Sequence, residues 1–269
     1  MKASPERVAE FQKLHDSGCF VMPNPWDVGS ARALAAMGFR ALATTSSGFA
    51  WSVGRADNTV GLEQTLTHLG RLAAAVDLPV NADFQNGYAT RPEEVGANVG
   101  LAVHTGVAGL SIEDFSGDPA APLFDLGLAV ERIIAARAAI DDSGAGVVLT
   151  ARSEGFVWDR PDIDETIRRL RAYAEAGADC LYAPCITSTE HVSAIVAAVS
   201  PKPVNLLIHT PFTTVAEAAR LGVRRISVGG MLARTAWRGF LEAANEIAEH
   251  GTFSQFVDLP DLNALLNPS

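Results

Sequence analysis

Three consecutive strand-like segments of this chain each end near a charged residue: Asp83 in PVNADF, Glu113 in GLSIEDF and Arg152 in GVVLTARS. Each segment is otherwise small or apolar, so an ionised side chain within it is expensive to bury unpaired. The three need each other, a metal or a ligand. A buried ion-pair network that fixes strand register would account for any one of them. Three successive strands charged at the same end point instead to a site. Other polar residues fall at the same level. An earlier segment runs into Thr44-Thr45-Ser46-Ser47-Gly48, and Asp83 is followed by Phe84-Gln85-Asn86-Gly87-Tyr88. Asp114 follows Glu113, Ser153 and Glu154 follow Arg152, and a later segment offers Asn205 and His209.

Carboxylates at strand ends suit a hard cation. The six histidines show no HxxxH pair and the three cysteines no CxxC pair, which argues against zinc. Mg²⁺, or Mn²⁺ in its place, keeps much of its water and takes one or two carboxylates plus substrate oxygens. Arg152 beside such an ion can grip a carboxylate or phosphate through two parallel hydrogen bonds. Weaker candidates have plainer roles. Gly229-Gly230 could cradle a phosphate but reads more simply as a tight turn. Tyr88 as proton donor, Cys185 as a pocket thiol and His209 as a base compete with ordinary packing.

Eight segments read as strands that position these residues: 19–23, 41–46, 79–84, 109–115, 146–153, 180–185, 203–209 and 225–230. Helical periodicity separates them, for example over 62–76, 92–105, 126–141, 163–176 and 215–221. Several helices run into a glycine just before the next strand: Gly38, Gly106, Gly177 and Gly222. A left-handed glycine closes a helix. Strict alternation of strand and helix implies a parallel sheet. Eight such strands suggest a closed (β/α)8 TIM-type barrel more than an open doubly wound sheet, which would keep two edges, and the chemistry is expected at the carboxyl ends of the strands.

The 269 residues suit one such barrel domain, 1–269, with a helical tail from about 251 to 269 in oligomer contact. That tail carries Phe253, Phe256, Val257, Leu259, Leu262, Leu265 and Leu266, too much apolar surface to leave in water. A net charge of −10 argues against nucleic acid. No apolar run reaches a membrane span and no secretory h-region opens the chain. Three cysteines without a pairing pattern read as reduced thiols. A soluble cytoplasmic protein with a small carboxylate as its partner is expected.

At these residues the chain resembles the isocitrate lyase/phosphoenolpyruvate mutase superfamily. The pieces are TTSSGFAWSVGRAD, ADFQNGY, SIED, TARSE, and PVNLL followed by LGVRRISVGG, and the likeness runs from about residue 11 to about residue 244. The resemblance implies a modified (β/α)8 barrel whose eighth helix is swapped between subunits of a homodimer or homotetramer. It implies Mg²⁺ and an enolate of a 2-oxo acid. Carried over, Asp83 corresponds to the carboxylate nearest the metal, with Asp57 and Glu113 as outer carboxylates acting through water. Arg152 corresponds to the substrate-carboxylate arginine. Thr45, Ser46 and Ser47 correspond to the turn that holds that carboxylate, and Asn205 joins the substrate-binding set.

Three positions depart from the family pattern. Its Asp-x-Asp metal motif is Asp83-Phe84-Gln85 here, so Gln85 can meet a metal-bound water but brings no charge. The Lys-Lys/Arg-Cys-Gly-His loop of the lyase branches is replaced by SGDPAAPLFD, with no Cys, His or Lys. After strand six, Pro-Glu is replaced by Pro184-Cys185. The expected function is a Mg²⁺-dependent lyase acting on a small 2-oxo or 2-hydroxy carboxylate by carbon–carbon cleavage or decarboxylation. The alternatives are a carbon–phosphorus enzyme acting on a phosphonopyruvate-like acid and a non-catalytic 2-oxo-acid binding protein.

Overall fold

The computed structural model describes residues 4–266. Eight parallel strands form its centre: β1 (Phe20–Met22), β2 (Leu42–Ala43), β3 (Val80–Asp83), β4 (Gly109–Glu113), β5 (Val148–Arg152), β6 (Cys180–Tyr182), β7 (Val204–Leu207) and β8 (Arg225–Ser227). They pair in the order β1-β8-β7-β6-β5-β4-β3-β2. Across the remaining seam, between β1 and β2, Ala43 N–H donates to the Pro23 carbonyl at 3.1 Å. The Asn24 amide donates to the Thr44 carbonyl there at 2.9 Å. The expected (β/α)8 barrel is therefore present, with each strand shorter than its sequence segment.

Helices α1 (Pro5–Asp16), α2 (Val28–Ala36), α3 (Ser46–Ser52), α4 (Leu62–Ala75), α5 (Pro92–Val103) and α6 (Leu126–Ser143) occupy the first half. Then come α7 (Ile163–Glu175), α8 (Thr189–Val199), α9 (Val215–Arg220), α10 (Met231–His250) and α11 (Leu262–Leu266). α4 shows why these segments are helical: Thr65, His68, Leu69, Leu72 and Ala73 recur along one face and are the residues it buries. α7 starts where Asp162 accepts the Glu165 N–H at 2.9 Å. The four glycines expected to close helices all take positive φ. At Gly222, with φ of 88°, a Cβ would also lie 2.8 Å from Val196. Among the described residues, no helix is long and apolar enough to cross a membrane.

Side chains alternate along a strand, so β3, β4, β5, β6 and β8 each send every second residue inward. The uppermost inward set is Asp83, Glu113, Arg152, Tyr182 and Ser227. Two residues below lie Asn81, Ser111, Thr150, Cys180 and Arg225. The amino-terminal floor is apolar: α1 brings Phe11, fully buried, against Phe20, Met22, Ala41 and Val148. Polarity thus rises along the barrel axis from floor to mouth, in an interior that branched apolar residues dominate in most such barrels.

Gly109 is where the floor approaches most closely. A Cβ there would sit 2.5 Å from the Phe11 ring and 2.7 Å from Asn81 Oδ1. Gly109→Ala is expected to destabilise the fold by about 1–3 kcal/mol through overpacking. The sign will be a lower denaturant midpoint at unchanged slope. An unchanged midpoint would mean that α1 does not close the barrel at Phe11.

Candidate active site

The mouth of the barrel opens into a chamber of about 180 Å³, lined by Thr45, Ser46, Ser47, Asp57, Asp83, Glu113, Arg152 and Asn205 among others. Eight of the nine residues singled out from the sequence therefore share one cavity. Gln85 is the ninth. It sits at φ 48° and borders a smaller cavity behind Asp83, with Thr65, His68 and Tyr88. Tyr88 is turned the same way, its hydroxyl 2.8 Å from that of Thr65. Cys185 and His209 do not line the chamber.

Arg152 is the hub. Its Nη1 lies 2.9 Å from Asp83 Oδ1 and 2.8 Å from Glu113 Oε1, and its Nε lies 2.9 Å from Glu154 Oε1. The guanidinium packs over the Tyr182 ring, 4.9 Å from its centroid. Burial opposes its charge, but Glu113, Glu154 and Asp83 outweigh burial and hold it protonated. Burial pushes Glu113 well above the ordinary carboxylate range; Arg152 pulls it down, and Glu154 and Asp83 push it further up. Burial raises Glu154 as well, again against the pull of Arg152. Asp57 at the rim is raised by desolvation and then by the Asp83 charge. Four carboxylates thus face one guanidinium at the mouth.

Short-range contacts explain how these side chains are aimed. Thr44 Oγ1 accepts the Asp83 N–H at 2.8 Å, fixing the end of β3. The turn expected after β2 is the first turn of α3: Thr45 is its cap, accepting the Gly48 N–H at 3.3 Å. Ser46 N–H donates to Asp83 Oδ2 at 2.9 Å, and the Thr45 and Ser47 hydroxyls lie 3.1 Å apart. Asn205 lines the chamber with both ends engaged, Oδ1 accepting from Arg225 Nε at 2.8 Å and Nδ2 donating to Ser227 Oγ at 2.9 Å.

Asp114 is held in a buried ion pair outside the chamber. Being the next residue along, it points away from Glu113. It accepts from Tyr173 Oη at 2.6 Å, Arg169 Nη1 at 3.1 Å and Glu154 N–H at 2.8 Å. These bonds tie the ends of β4 and β5 to α7. The segment that replaces the Cys-Gly-His loop is a tight turn: Ser116 N–H donates to the Pro122 carbonyl at 2.9 Å and Ser116 Oγ to the Ala121 carbonyl at 2.7 Å. Before it, Phe115 stacks on Trp158 with ring centroids 4.2 Å apart, and both line the chamber.

Sequence reading gave no role to Tyr182, Glu154, Arg225, Ser227 or the Phe115–Trp158 wall. Inward alternation from Arg152 would have found Glu154, two residues on; Tyr182 is set beside Arg152 and Asn205 only by the pairing of β5, β6 and β7. Nothing local marks Arg225, which follows Arg224 and is 1% exposed. Among the described residues, no three His, Cys, Asp or Glu side chains are gathered closely enough to grip a metal directly.

Known proteins resemble this one along most of its length. The family model described as phosphoenolpyruvate phosphomutase matches residues 11–248. A solved protein of Burkholderia cenocepacia J2315, assigned provisionally as a lyase or mutase, is 43% identical, with TM-score 0.95 over 98% of both chains. The structure of 2,3-dimethylmalate lyase, a phosphoenolpyruvate mutase/isocitrate lyase superfamily member, is 27% identical, with TM-score 0.86 over 98% of this chain and 94% of that one. Oxaloacetate decarboxylase of Paraburkholderia xenovorans (strain LB400) is 29% identical over 80% of this chain and 72% of its own.

Proposed function

We propose that this chain, which belongs to the isocitrate lyase/phosphoenolpyruvate mutase superfamily, is a divalent-metal-dependent lyase for a small 2-oxo or 2-hydroxy carboxylate. The bond broken is the carbon–carbon bond whose cleavage leaves an enolate, and decarboxylation of an oxaloacetate-like acid is the simplest such reaction. The observation that carries the reading is the mouth itself, where Asp57, Asp83, Glu113 and Glu154 surround the single guanidinium of Arg152.

That donor set fits a divalent cation. Four carboxylates stand round Arg152 at the mouth, and Glu113 and Asp57 are raised partly by neighbouring carboxylates, strain that a cation would relieve. Asp83 would hold the ion, with Asp57 and Glu113 acting through water. Gln85 lies behind Asp83 and adds no charge. So sparse a set of protein ligands suits Mg²⁺, or Mn²⁺, which retains water and takes substrate oxygens. When bound, the cation would supply positive charge beside the 2-oxo oxygen.

The chain's own residues do the rest. Arg152 presents a planar donor fork to the substrate carboxylate. Asp83 and Glu113 orient that fork. The first turn of α3 supplies Ser46 and Ser47 on the facing side. Phe115 and Trp158 shield the chamber from water, which strengthens every charge interaction inside it.

The test is turnover. Oxaloacetate and related 2-oxo and 2-hydroxy acids are incubated with the protein in Mg²⁺ and in chelator, and pyruvate or glyoxylate release is followed. Metal-dependent release is expected. Phosphate release from phosphonopyruvate alone would favour carbon–phosphorus chemistry, and tight oxalate binding without any turnover would leave a binding protein.

The homo-oligomer belongs to the same proposal. α10 is a 20-residue amphipathic helix of which only Ala233 is buried. Phe240 is 60% exposed, and Trp237, Leu241 and Ile247 are exposed beside it. The tail helix α11 lies against α2 of the same chain, while Phe253, Phe256 and Leu259 stay exposed. A helix swapped onto a second barrel would cover the α10 face. Sedimentation at micromolar concentration is expected to show a dimer or tetramer that Phe240→Asp weakens. A wild-type monomer would contradict it.

A further inference from the structure

We propose that Tyr182 is the proton donor that quenches the enolate, with Ser227, Asn205 and Arg225 as the residues that position its hydroxyl. This rests on the enolate reading above and adds the acid that the replaced Cys-Gly-His loop does not supply.

The geometry places Tyr182 where such a donor must be. Its side chain points inward from the end of β6, lines the chamber and forms the surface beneath the Arg152 guanidinium. Any acid whose carboxylate pairs with Arg152 therefore lies next to this ring. Ser227 faces the same chamber, and its side chain works against burial by lowering the phenol's pKa. Ser227 Oγ in turn accepts from Asn205 Nδ2 at 2.9 Å, and Asn205 Oδ1 accepts from Arg225 Nε at 2.8 Å. A hydrogen-bonded row thus runs from Ser227, beside Tyr182 on the chamber wall, down into the barrel.

The foot of that row carries an uncompensated charge. Arg225 is 1% exposed, and its remaining hydrogen-bond partners are neutral: Thr150 Oγ1 at 3.0 Å and the His15 Nε2 at 3.3 Å. Burial and Arg225 itself lower the His15 pKa to about 3, so the imidazole is a neutral partner that adds no second positive charge. A buried guanidinium without a carboxylate costs free energy. It is accounted for if negative charge appears nearby during turnover. A phenolate on Tyr182 is such a charge, with Arg152 above it and the Ser227–Asn205–Arg225 row below.

The other groups at the chamber fit the role less well. Asp83, Glu113 and Glu154 each place a carboxylate oxygen on Arg152. The serine and threonine hydroxyls are far weaker acids than a phenol, whose ordinary pKa is about 10. Burial raises the Tyr182 phenol further. It therefore arrives protonated at neutral pH, and its acidity remains within reach of a carbanionic enolate. The step balances simply. The Tyr182 O–H bond breaks, a C–H bond forms at the enolate carbon, and the electron pair of the O–H bond stays on the phenolate oxygen. A solvent proton then restores the phenol.

Tyr182→Phe keeps the ring beneath Arg152 and deletes only the hydroxyl. The reverse proton transfer is the cleanest readout: exchange of pyruvate methyl protons with D₂O, followed by NMR in Mg²⁺, alongside calorimetric titration with oxalate. A general acid contributes about 10²–10⁴-fold, so exchange is expected to fall at least about a hundredfold, with oxalate affinity held within about threefold. Ser227→Ala is expected to slow exchange less and leave oxalate binding alone. Exchange at the wild-type rate in Tyr182→Phe, with wild-type exchange and oxalate binding intact, overturns the assignment of Tyr182 and leaves the enolate reading standing. A wild-type protein that neither exchanges pyruvate nor turns over oxaloacetate overturns both.

Discussion

Arg152→Met is expected to lower kcat/KM on any acid substrate by at least about a thousandfold, because the residue that fixes the substrate carboxylate acts on every later step. The folded protein should register the change too. Removing one partner of a buried charge cluster typically destabilises by about 3–5 kcal/mol, and here Asp83, Glu113 and Glu154 would all lose their cation. The pH dependence gives this loss a signature. Burial already raises Glu113 and Glu154 above the ordinary glutamate value of 4.5 with Arg152 in place. Without it they rise further. A carboxyl raised in the folded state binds its proton more readily there than in the unfolded chain. Its contribution is full below the unfolded value near 4.5 and is lost as pH rises through the folded value. Arg152→Met should therefore recover stability relative to wild type as pH falls from neutrality toward that value. Denaturant titrations of both proteins at several pH values measure this. A deficit that stays constant with pH would mean that the carboxylates do not depend on Arg152.

The second large effect is expected at Asp83. It holds Arg152 through one oxygen and the Ser46 N–H through the other, so it joins the metal candidate, the arginine and the first turn of α3. Asp83→Ala should abolish metal-dependent turnover, a loss of at least about a hundredfold in kcat. It should also remove the response of ligand binding to Mg²⁺. Asp83→Asn separates charge from shape: it can retain the Ser46 contact, and it should still lose the metal response. Calorimetric titration of Mg²⁺ into each variant in the presence of oxalate decides this. Unchanged Mg²⁺ affinity in Asp83→Asn would move the metal role to Asp57 and Glu113.

Much of this site could be read from the residue order, for a physical reason. A charged residue within a short apolar strand is a costly exception, so Asp83, Glu113 and Arg152 stood out, and the βα repeat placed them at one end. Asp57 sits in a loop and Gln85 in a turn, and there no periodicity says which way a side chain points. The positive φ of Gln85 turns it behind Asp83. Tyr182 was hidden in the opposite way. A tyrosine in CLYAPC looks like core, and only the barrel's closure shows that its inward face meets Arg152. Arg225 follows another arginine at a strand start, a pattern that usually means surface. The polar layer it belongs to emerges only when strands distant in sequence, β5, β7 and β8, come together.

Arg152 and a cation at Asp83 are proposed to hold the planar anion of a 2-oxo acid together. Oxalate resembles the pyruvate enolate in shape and charge, so its affinity for the wild-type protein in Mg²⁺ and in excess chelator tests that claim most directly. The two ligands should bind cooperatively, because the oxalate oxygens would supply the negative charge beside the cation that Asp83 alone does not. Oxalate is expected to bind at least about tenfold more tightly in Mg²⁺, which is about 1.4 kcal/mol of coupling. Equal affinity in Mg²⁺ and in chelator would contradict the account and leave Arg152 with the first turn of α3 as a metal-free anion site.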